Sequence, residues 1–245
     1  MIVISAGMQK AASASCFNLT NGLLMAAGYE DVRILRRRFA WGFFMSKVNC
    51  NVGPLRAYKM AWMSLPHWLG QSFVVKTHER PSIWARLWMR LGAVRATYIY
   101  RDPRDVAVSL FEHGERLRRD SMDSRTRFDQ LDTLDKAIRF TGTLLPIWKE
   151  WTELPDVLAF RFEDYTADMM RAADRLNLHL RLKLDEVAFR HVVSRIQPEG
   201  MNPREASSSV HMHSGKAGRW LARMTDAQKE LCQELFGPHL RRMGY

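Results

Sequence analysis

The chain reads YIYRDPRDVAVS from Tyr98 to Ser109, and this stretch decides which fold the sequence predicts. Three β-prone residues lead to Arg101, Pro103 then permits a turn, and the residues that follow have the polar and apolar spacing of a helix. A strand that ends at an arginine and precedes a helix is how α/β proteins present an anion-binding group at the edge of a parallel sheet. We therefore expect the Arg101 guanidinium and the Ser109 hydroxyl, two turns into the helix, to bind one phosphate or sulfate group.

Strand and helix patterns alternate along most of the chain. Four short runs are mostly apolar, as in strands that are buried on both faces of a parallel sheet, and they cover residues 2–5, 72–76, 96–100 and 157–160. Helical patterns follow at residues 15–27, 82–91, 106–118, 131–151 and 164–177. We predict a single α/β domain over residues 1–245, with a central parallel sheet flanked by helices. The polar run over residues 197–209 predicts a long loop.

The chain is strongly basic, with 37 Lys and Arg against 26 Asp and Glu in 245 residues, a formal net charge of +11. This charge favours a polyanionic partner: nucleic acid, an anionic membrane surface or a multiply phosphorylated small molecule. Cys16, Cys50 and Cys232 are widely spaced, which predicts small buried residues in a reducing compartment rather than disulfides or a zinc site. Neither a signal peptide nor a membrane span is predicted, so we expect a soluble, cytoplasmic protein.

The segment after the first predicted strand resembles a phosphate-binding loop. It reads GMQKAASAS from Gly7 to Ser15, and its small residues let the backbone approach an anion while helix amides and Lys10 supply donors and charge. A Walker A loop needs Gly directly before the lysine and Ser or Thr directly after it. Gln9 and Ala11 occupy those positions, which disfavours a nucleotide kinase or GTPase. Taken alone, the segment is also compatible with an ordinary turn that carries a surface lysine.

The second predicted strand ends in Lys76-Thr77-His78. A histidine at the ligand-binding edge of an α/β sheet is suited to remove a proton near neutral pH. Lys76 lies two residues earlier, on the same side of an extended chain, where its charge can stabilise a leaving oxygen. Because the carboxyl ends of parallel strands share one edge of the sheet, we expect Lys10, His78 and Arg101 to lie close together.

These segments together resemble the sulfotransferases that use 3′-phosphoadenosine 5′-phosphosulfate (PAPS), and most closely the cytosolic type. Five segments match the family's motifs in the family's order: Lys10 with Ser13, Lys76 to His78, Arg101 to Ser109, Phe162 to Tyr165 and Gly215 to Trp220. The resemblance implies transfer of a sulfuryl group to a hydroxyl or amine by in-line displacement, with a P-loop-like phosphosulfate loop and no metal. It also implies His78, Lys10 and Lys76 as catalytic residues.

The same resemblance implies which residues bind the cosubstrate. The expected contacts are Lys10, Ala11, Ala12, Ser13, Ala14, Ser15, Arg101, Ser109, Phe162, His213, Ser214, Gly215 and Lys216. The chain departs from the family's pattern at several of them: Ala12 and Ala14 stand where Gly and Thr are common, Ser15 replaces an aromatic residue, and Phe162 replaces a tyrosine. His213-Ser214 replaces a basic pair, so the 3′-phosphate contact is expected to move to Lys216, Arg219 or Arg204.

The identity of the base stays open at this point. Other branches of the family use a glutamate after the first helix, where this chain has Glu30 and Asp31, and Glu79 adjoins His78. We prefer His78 because an unperturbed carboxylate is a poor base for an alcohol.

Two other classes of function compete with sulfuryl transfer. One is a P-loop nucleotide kinase, and the other is a non-catalytic basic protein that binds nucleic acid or a membrane. Basic and aromatic residues alternate from Arg33 to Phe44, which can indicate such contacts. We interpret this stretch instead as a mobile segment near the substrate, or as core packing. The expected partner is a small-molecule or lipid-like acceptor, without nucleic acid or a stable membrane anchor.

Overall fold

A parallel sheet of four strands forms the centre of this computed structural model, which describes residues 1–119, 128–196 and 217–245. The strands are β1 (Ile2–Gly7), β2 (Phe73–Thr77), β3 (Val94–Tyr100) and β4 (Val157–Arg161). Their order across the sheet is β2-β1-β3-β4, and all neighbouring pairs are parallel. After β1, the chain therefore forms β2 on one side of β1 and later forms β3 on the other side of β1. In sheets of this kind, ligands bind outside the carboxyl ends of the strands at this change of direction.

Helices cover both faces of the sheet. Tyr98 stacks on Trp151, with ring centroids 6.4 Å apart, on one face. Phe160, the register partner of Ile99, contacts Tyr165 on the other face. The helices are α1 (Ser13–Ala26), α2 (Val32–Arg38), α3 (Ala57–Trp68), α4 (Ile83–Arg90), α5 (Pro103–Arg119), α6 (Leu134–Gly142), α7 (Leu145–Thr152), α8 (Phe162–Ala167), α9 (Met169–Leu180), α10 (Glu186–Ile196), α11 (Trp220–Arg223) and α12 (Asp226–Met243).

The prediction of an α/β fold with a central parallel sheet is confirmed, and every predicted strand is present with its ends shifted by at most two residues. The strands β1 and β2 are buried along their whole length, which explains why their sequences are apolar runs. Cys16, Cys50 and Cys232 are buried free thiols, as predicted. Within the described ranges, no helix combines the length and the apolar character needed to cross a membrane. The loop predicted at residues 197–209 lies outside the described residues.

Two helix predictions are wrong in the same way. Residues 131–151 form two helices, α6 and α7, because Pro146 has no N–H to donate to the Gly142 carbonyl and its ring clashes with that carbonyl. Residues 164–177 are likewise divided at Asp168, which ends α8 and caps α9 by accepting a hydrogen bond from the Arg171 amide at 2.9 Å. In both cases the apolar spacing of a helix continues in the sequence, although a single residue interrupts the helix in the structure.

Candidate active site

The carboxyl ends of β1, β2 and β3 bring the predicted site residues to one edge of the sheet. Ala6 pairs with Thr77, and Gly7 pairs with Ile99, so the three following loops start at the same level. A direct contact joins two of these ends: His78 Nδ1 lies 2.6 Å from the Gly7 carbonyl oxygen. The loops that carry Lys10, His78 and Arg101 therefore start at the same edge of the sheet.

The contact with Gly7 fixes which nitrogen of His78 carries the proton. A carbonyl oxygen can only accept, so Nδ1 donates, and Nε2 keeps its lone pair. Burial, with a smaller contribution from the Lys76 charge, lowers the pKa of His78 to about 4. The imidazole is therefore neutral at physiological pH and able to accept a proton. An anionic ligand beside the ring would raise this pKa and make the ring a stronger base.

The loop after β1 leaves the N-terminus of α1 without a side-chain cap from its own N-cap residue. Ala12 is the N-cap of α1, and its side chain has nothing with which to accept hydrogen bonds from the first-turn amides. Lys10 and Ala12 both have left-handed backbone conformations, with φ of 64° and 58°. A Cβ at Gly7 would lie 2.8 Å from Cγ2 of Ile99, so only glycine fits where this loop leaves the sheet. The uncapped amides at the N-terminus of α1 suit an anion.

The backbone at Ala12 gives a test of this loop. The left-handed conformation costs a non-glycine residue about 1–2 kcal/mol, and a β-branched residue more. We therefore expect Ala12→Val to lower the free energy of unfolding by about 1–2 kcal/mol. Ala12→Gly should leave it unchanged or slightly higher, because relief of the left-handed backbone strain offsets the extra flexibility of glycine in the unfolded chain. Urea denaturation of the three proteins measures this. Equal stability of the Val and Gly variants would contradict the expectation.

Two lysines give the site an uncompensated positive charge. Burial lowers the pKa of Lys10 to about 8, with a further contribution from the Arg116 charge. Burial likewise lowers the pKa of Lys76 to about 8, and its side chain is only 7% exposed. A buried ammonium group loses its hydration, and within the described ranges no carboxylate forms an ion pair with either lysine. A bound polyanion would replace the lost interactions.

Arg101 is held rigidly at the end of β3. Its guanidinium lies over the Phe162 ring, 4.3 Å from the centroid, and forms an ion pair with Asp105 at 3.6 Å. Arg101 is almost fully buried, and burial lowers its pKa. Ser109 is half-buried one turn after Asp105 on the same side of α5. Arg101 thus lies just before α5, and Ser109 lies within α5, one turn beyond the Asp105 that pairs with Arg101.

Asp105 is a site residue that the sequence analysis missed. Its carboxylate is completely buried and accepts hydrogen bonds from the Gly218 amide at 2.7 Å and the Trp220 amide at 3.1 Å, in addition to pairing with Arg101. Arg104 adds a contact by lying 4.0 Å from the centroid of the Trp220 ring. One carboxylate thus joins Arg101 to the segment before α11. Nothing in the local sequence indicated this, since the partners are more than one hundred residues apart.

A second ion-pair cluster secures the same segment. Glu112 pairs with Arg219 and, at 3.1 Å, with Arg223. Arg219 was one of the residues expected to replace the basic pair at the 3′-phosphate, and the structure places it in this ion pair. Of the other residues expected there, His213, Ser214, Gly215, Lys216 and Arg204 lie outside the described residues.

The remaining predicted contacts divide into two groups. Ala12 and Ala14 are partly exposed at the loop, and Ser13 is nearly buried beside Gly7. Two others point into the protein: Ala11 is fully buried, and the Ser15 hydroxyl hydrogen-bonds the Tyr165 hydroxyl at 2.9 Å.

Three carboxylates were considered above as alternative bases, and the structure gives contacts for the residue that carries each of them. Glu30 pairs with Arg38 at 2.8 Å, and Asp31 caps α2 by accepting from the Arg33 amide at 2.8 Å. Glu79 follows His78, and its carbonyl accepts a hydrogen bond from Trp151 Nε1 at 2.9 Å, which holds this loop against α7. The carboxylates of Glu30 and Asp31 therefore have structural partners, whereas the contact with Trp151 fixes only the backbone of Glu79.

Comparison with known proteins identifies the class of this site. The family model of the sulfotransferase domain matches residues 70–244, which is more than half of the chain. The chain therefore belongs to the sulfotransferase family and is an enzyme of sulfuryl transfer. The match begins just before β2, so the loop of Lys10 lies outside it. A comparison with curated protein sequences found no match.

Solved structures show the same fold over the whole chain. Retinol dehydratase in complex with androsterone and the inactive cofactor PAP superposes with a TM-score of 0.61 at 18% identity, covering 98% of this chain and 80% of that one. A complex of retinol dehydratase with retinol and PAP gives the same TM-score and identity, covering 98% and 81%. Mouse sulfotransferase SULT7A1 complexed with PAP gives 0.62 at 12% identity, covering 98% and 84%. These alignments cover a larger share of the chain than residues 70–244, which the family model matches.

Proposed function

We propose that the chain transfers the sulfuryl group of PAPS to a hydroxyl or amine of a small-molecule or lipid-like acceptor. The observation that carries this proposal is the convergence of three strand ends on one position: the uncapped α1 N-terminus with Lys10, the Nε2 lone pair of His78, and the buried guanidinium of Arg101. Each supplies one requirement of the reaction: anion binding, proton removal and recognition of a second anionic group.

The residues present fit a nucleotide that carries anionic groups at both ends. Lys10 and the amides of Ser13 and its neighbours are suited to hold the 5′-phosphosulfate. Arg101 and Ser109 lie along α5, where they are suited to hold the 3′-phosphate. PAPS, when bound, supplies the electrophilic sulfur and the phosphate leaving group.

His78 then takes the proton of the acceptor at Nε2. As the acceptor oxygen forms its bond to sulfur, the bond between sulfur and the bridging oxygen breaks, and PAP is left. Lys10 and Lys76 stabilise the charge that develops on this bridging oxygen, because Lys76 is buried and Lys10 half-buried, where their electrostatic effect is stronger than in water. Nδ1 keeps its proton throughout, and its hydrogen bond to the Gly7 carbonyl holds the ring in place.

Calorimetry with PAP and with ADP tests this proposal directly. ADP carries its second phosphate at the 5′ position, where PAP carries it at the 3′ position, so we expect tighter binding of PAP. We also expect transfer of label from sulfur-labelled PAPS to a phenol or alcohol acceptor. The absence of PAP binding to protein whose fold is verified by circular dichroism would overturn the proposal.

Cosubstrate affinity should also depend on pH through the two lysines. Their pKa values are lowered to about 8 in the free protein, and a bound polyanion raises them, so affinity is fully present below pH 8 and lost as pH rises through 8. We expect the Kd for PAP to rise by up to about tenfold per pH unit per lysine above pH 8. Lys10→Arg keeps its charge over this range and should flatten the dependence. A Kd that is constant from pH 7 to pH 9.5 would contradict this.

A further inference from the structure

The outward face of α3 is apolar along its whole length. Its exposed side chains recur at helical spacing and include no charged residue: Ala57, Tyr58, Ala61, Trp62, Leu65 and Trp68, with Leu69 directly after the helix. Trp68 is 73% exposed. The opposite face packs into the core through Met60 and Met63. A helix on the surface of a soluble protein normally places polar residues toward water, so this face indicates contact with something other than water.

Neighbouring elements extend this apolar surface. Phe43 is 67% exposed, and its ring lies edge-on to Trp62 with centroids 6.0 Å apart. On the other side, α4 contacts α3, and a cavity of about 460 Å³ lies between their N-terminal ends, lined by Ala57 and Trp84 among others. We define the α3–α4 face by its exposed large apolar residues: Phe43, Tyr58, Trp62, Leu65, Trp68, Leu69, Ile83, Trp84, Leu87 and Leu91.

The segment of the chain that contains this face is strongly basic. Residues 32–91 contain eleven Lys and Arg and one acidic residue, Glu79, so they carry +10 of the chain's formal +11. Arg56 and Arg80 line the cavity, and Arg90 ends α4. The exposed basic side chains in this range are Arg37, Arg38, Lys47, Arg56, Arg80 and Arg90. An apolar, tryptophan-rich surface is thus flanked by cations, of which Arg38 and Arg80 form ion pairs with Glu30 and Glu150.

We propose that the α3–α4 face docks on the surface of an anionic phospholipid bilayer. Tryptophan and tyrosine prefer the interface between lipid and water, and basic residues near an anionic leaflet each contribute about 1 kcal/mol of attraction. An amphipathic surface of this kind lies in the plane of the interface without crossing it. A second copy of the chain is a poor occupant, since it would bring the exposed basic residues that flank the two faces, such as Arg56 and Arg90, against each other.

The α3–α4 face also adjoins the candidate active site. Glu79 and Arg80 directly follow His78 and line the cavity between α3 and α4. Docking would therefore bring the end of β2 close to amphiphilic molecules held in the bilayer. This last step rests on the proposed function, whereas docking itself does not require catalysis.

Sedimentation of the full chain with lipid vesicles tests the proposal. We expect the protein to sediment with phosphatidylcholine vesicles that contain about 30 mol% phosphatidylglycerol, to sediment far less with phosphatidylcholine alone, and to be released as salt rises. Leu65→Asp with Trp68→Asp should lower the partition coefficient about tenfold or more. The matched control is Leu178→Asp with Val187→Asp, which changes side chains of 75% and 80% exposure in α9 and α10 and should partition like the unmodified chain.

A second pair of variants tests the charge without touching apolar residues. Arg56→Glu with Arg90→Glu should lose binding to anionic vesicles, whereas Arg171→Glu with Lys183→Glu, the same change in charge elsewhere, should keep most of it. Circular dichroism verifies the fold of every variant. The proposal is overturned if the unmodified chain does not sediment with anionic vesicles, or if test and control variants lose binding equally. A dimer that Leu65→Asp with Trp68→Asp dissociates, in the absence of vesicle binding, would assign the face to a protein partner instead.

Discussion

Replacing His78 with Ala is expected to lower kcat about 10²- to 10⁴-fold, the usual contribution of a general base, while PAP still binds. We expect turnover and PAP binding to respond differently because His78 is neutral, so its removal takes no cation from the site. Turnover of sulfur-labelled PAPS gives kcat, and calorimetry gives the affinity for PAP.

A second substitution separates the chemistry of His78 from its structural contact. The Asn amide in His78→Asn can donate to the Gly7 carbonyl in place of Nδ1, but it has no basic nitrogen. We expect His78→Asn to be as inactive as His78→Ala and more stable than it. If His78→Asn kept full turnover, the base would have to be one of the carboxylates, with Glu79 the first to replace.

Arg101→Ala should weaken PAP binding about 10- to 150-fold, because hydrogen bonds to charged groups contribute about 1.5–3 kcal/mol. If Arg101 holds the 3′-phosphate, the variant should bind ADP as the unmodified protein does, since ADP lacks that group. Ser109→Ala removes a neutral donor and should cost only about 2- to 10-fold in PAP affinity. Equal losses of PAP and ADP affinity on Arg101→Ala would contradict this role.

The ion pair with Asp105 has to be controlled for in that experiment. Arg101→Ala leaves a buried carboxylate without its cation, which lowers stability as well as affinity. Arg101→Lys keeps a positive charge near Asp105 but loses the planar, two-pronged geometry of the guanidinium. We expect it to restore stability more fully than PAP affinity. Thermal denaturation alongside calorimetry distinguishes the two effects.

The sequence predicts the sheet and most of the site because both depend on local chemistry. Buried parallel strands must be apolar, and the groups at their ends are polar, so β1 to β4 and the residues Lys10, His78 and Arg101 could be located without the structure. Asp105 could not, because its importance comes from amides that the fold brings from Gly218 and Trp220. Its position four residues after Arg101 equally fits an ordinary ion pair on a helix surface.

The α3 helix escaped prediction for a different reason. Its inner residues Met60 and Met63 and its outer residues Trp62 and Leu65 are all apolar, so the sequence has no alternation between an apolar and a polar face. Pattern analysis assumes that the outside of a protein faces water. On the α3–α4 face the outward residues are apolar. This one property explains both why the helix was not predicted and why the surface is unusual.

The absence of a side-chain cap at Ala12 would couple the stability of the fold to the proposed ligand. Where most helices complete their first turn with a serine or aspartate of their own, α1 leaves its amides to whatever anion binds there. A nucleotide present at one hundred times its Kd would add about 2.7 kcal/mol to the free energy of unfolding. The lifetime of the protein in a cell would then follow the supply of that nucleotide, so that scarcity removes the enzyme by degradation as well as by lack of substrate.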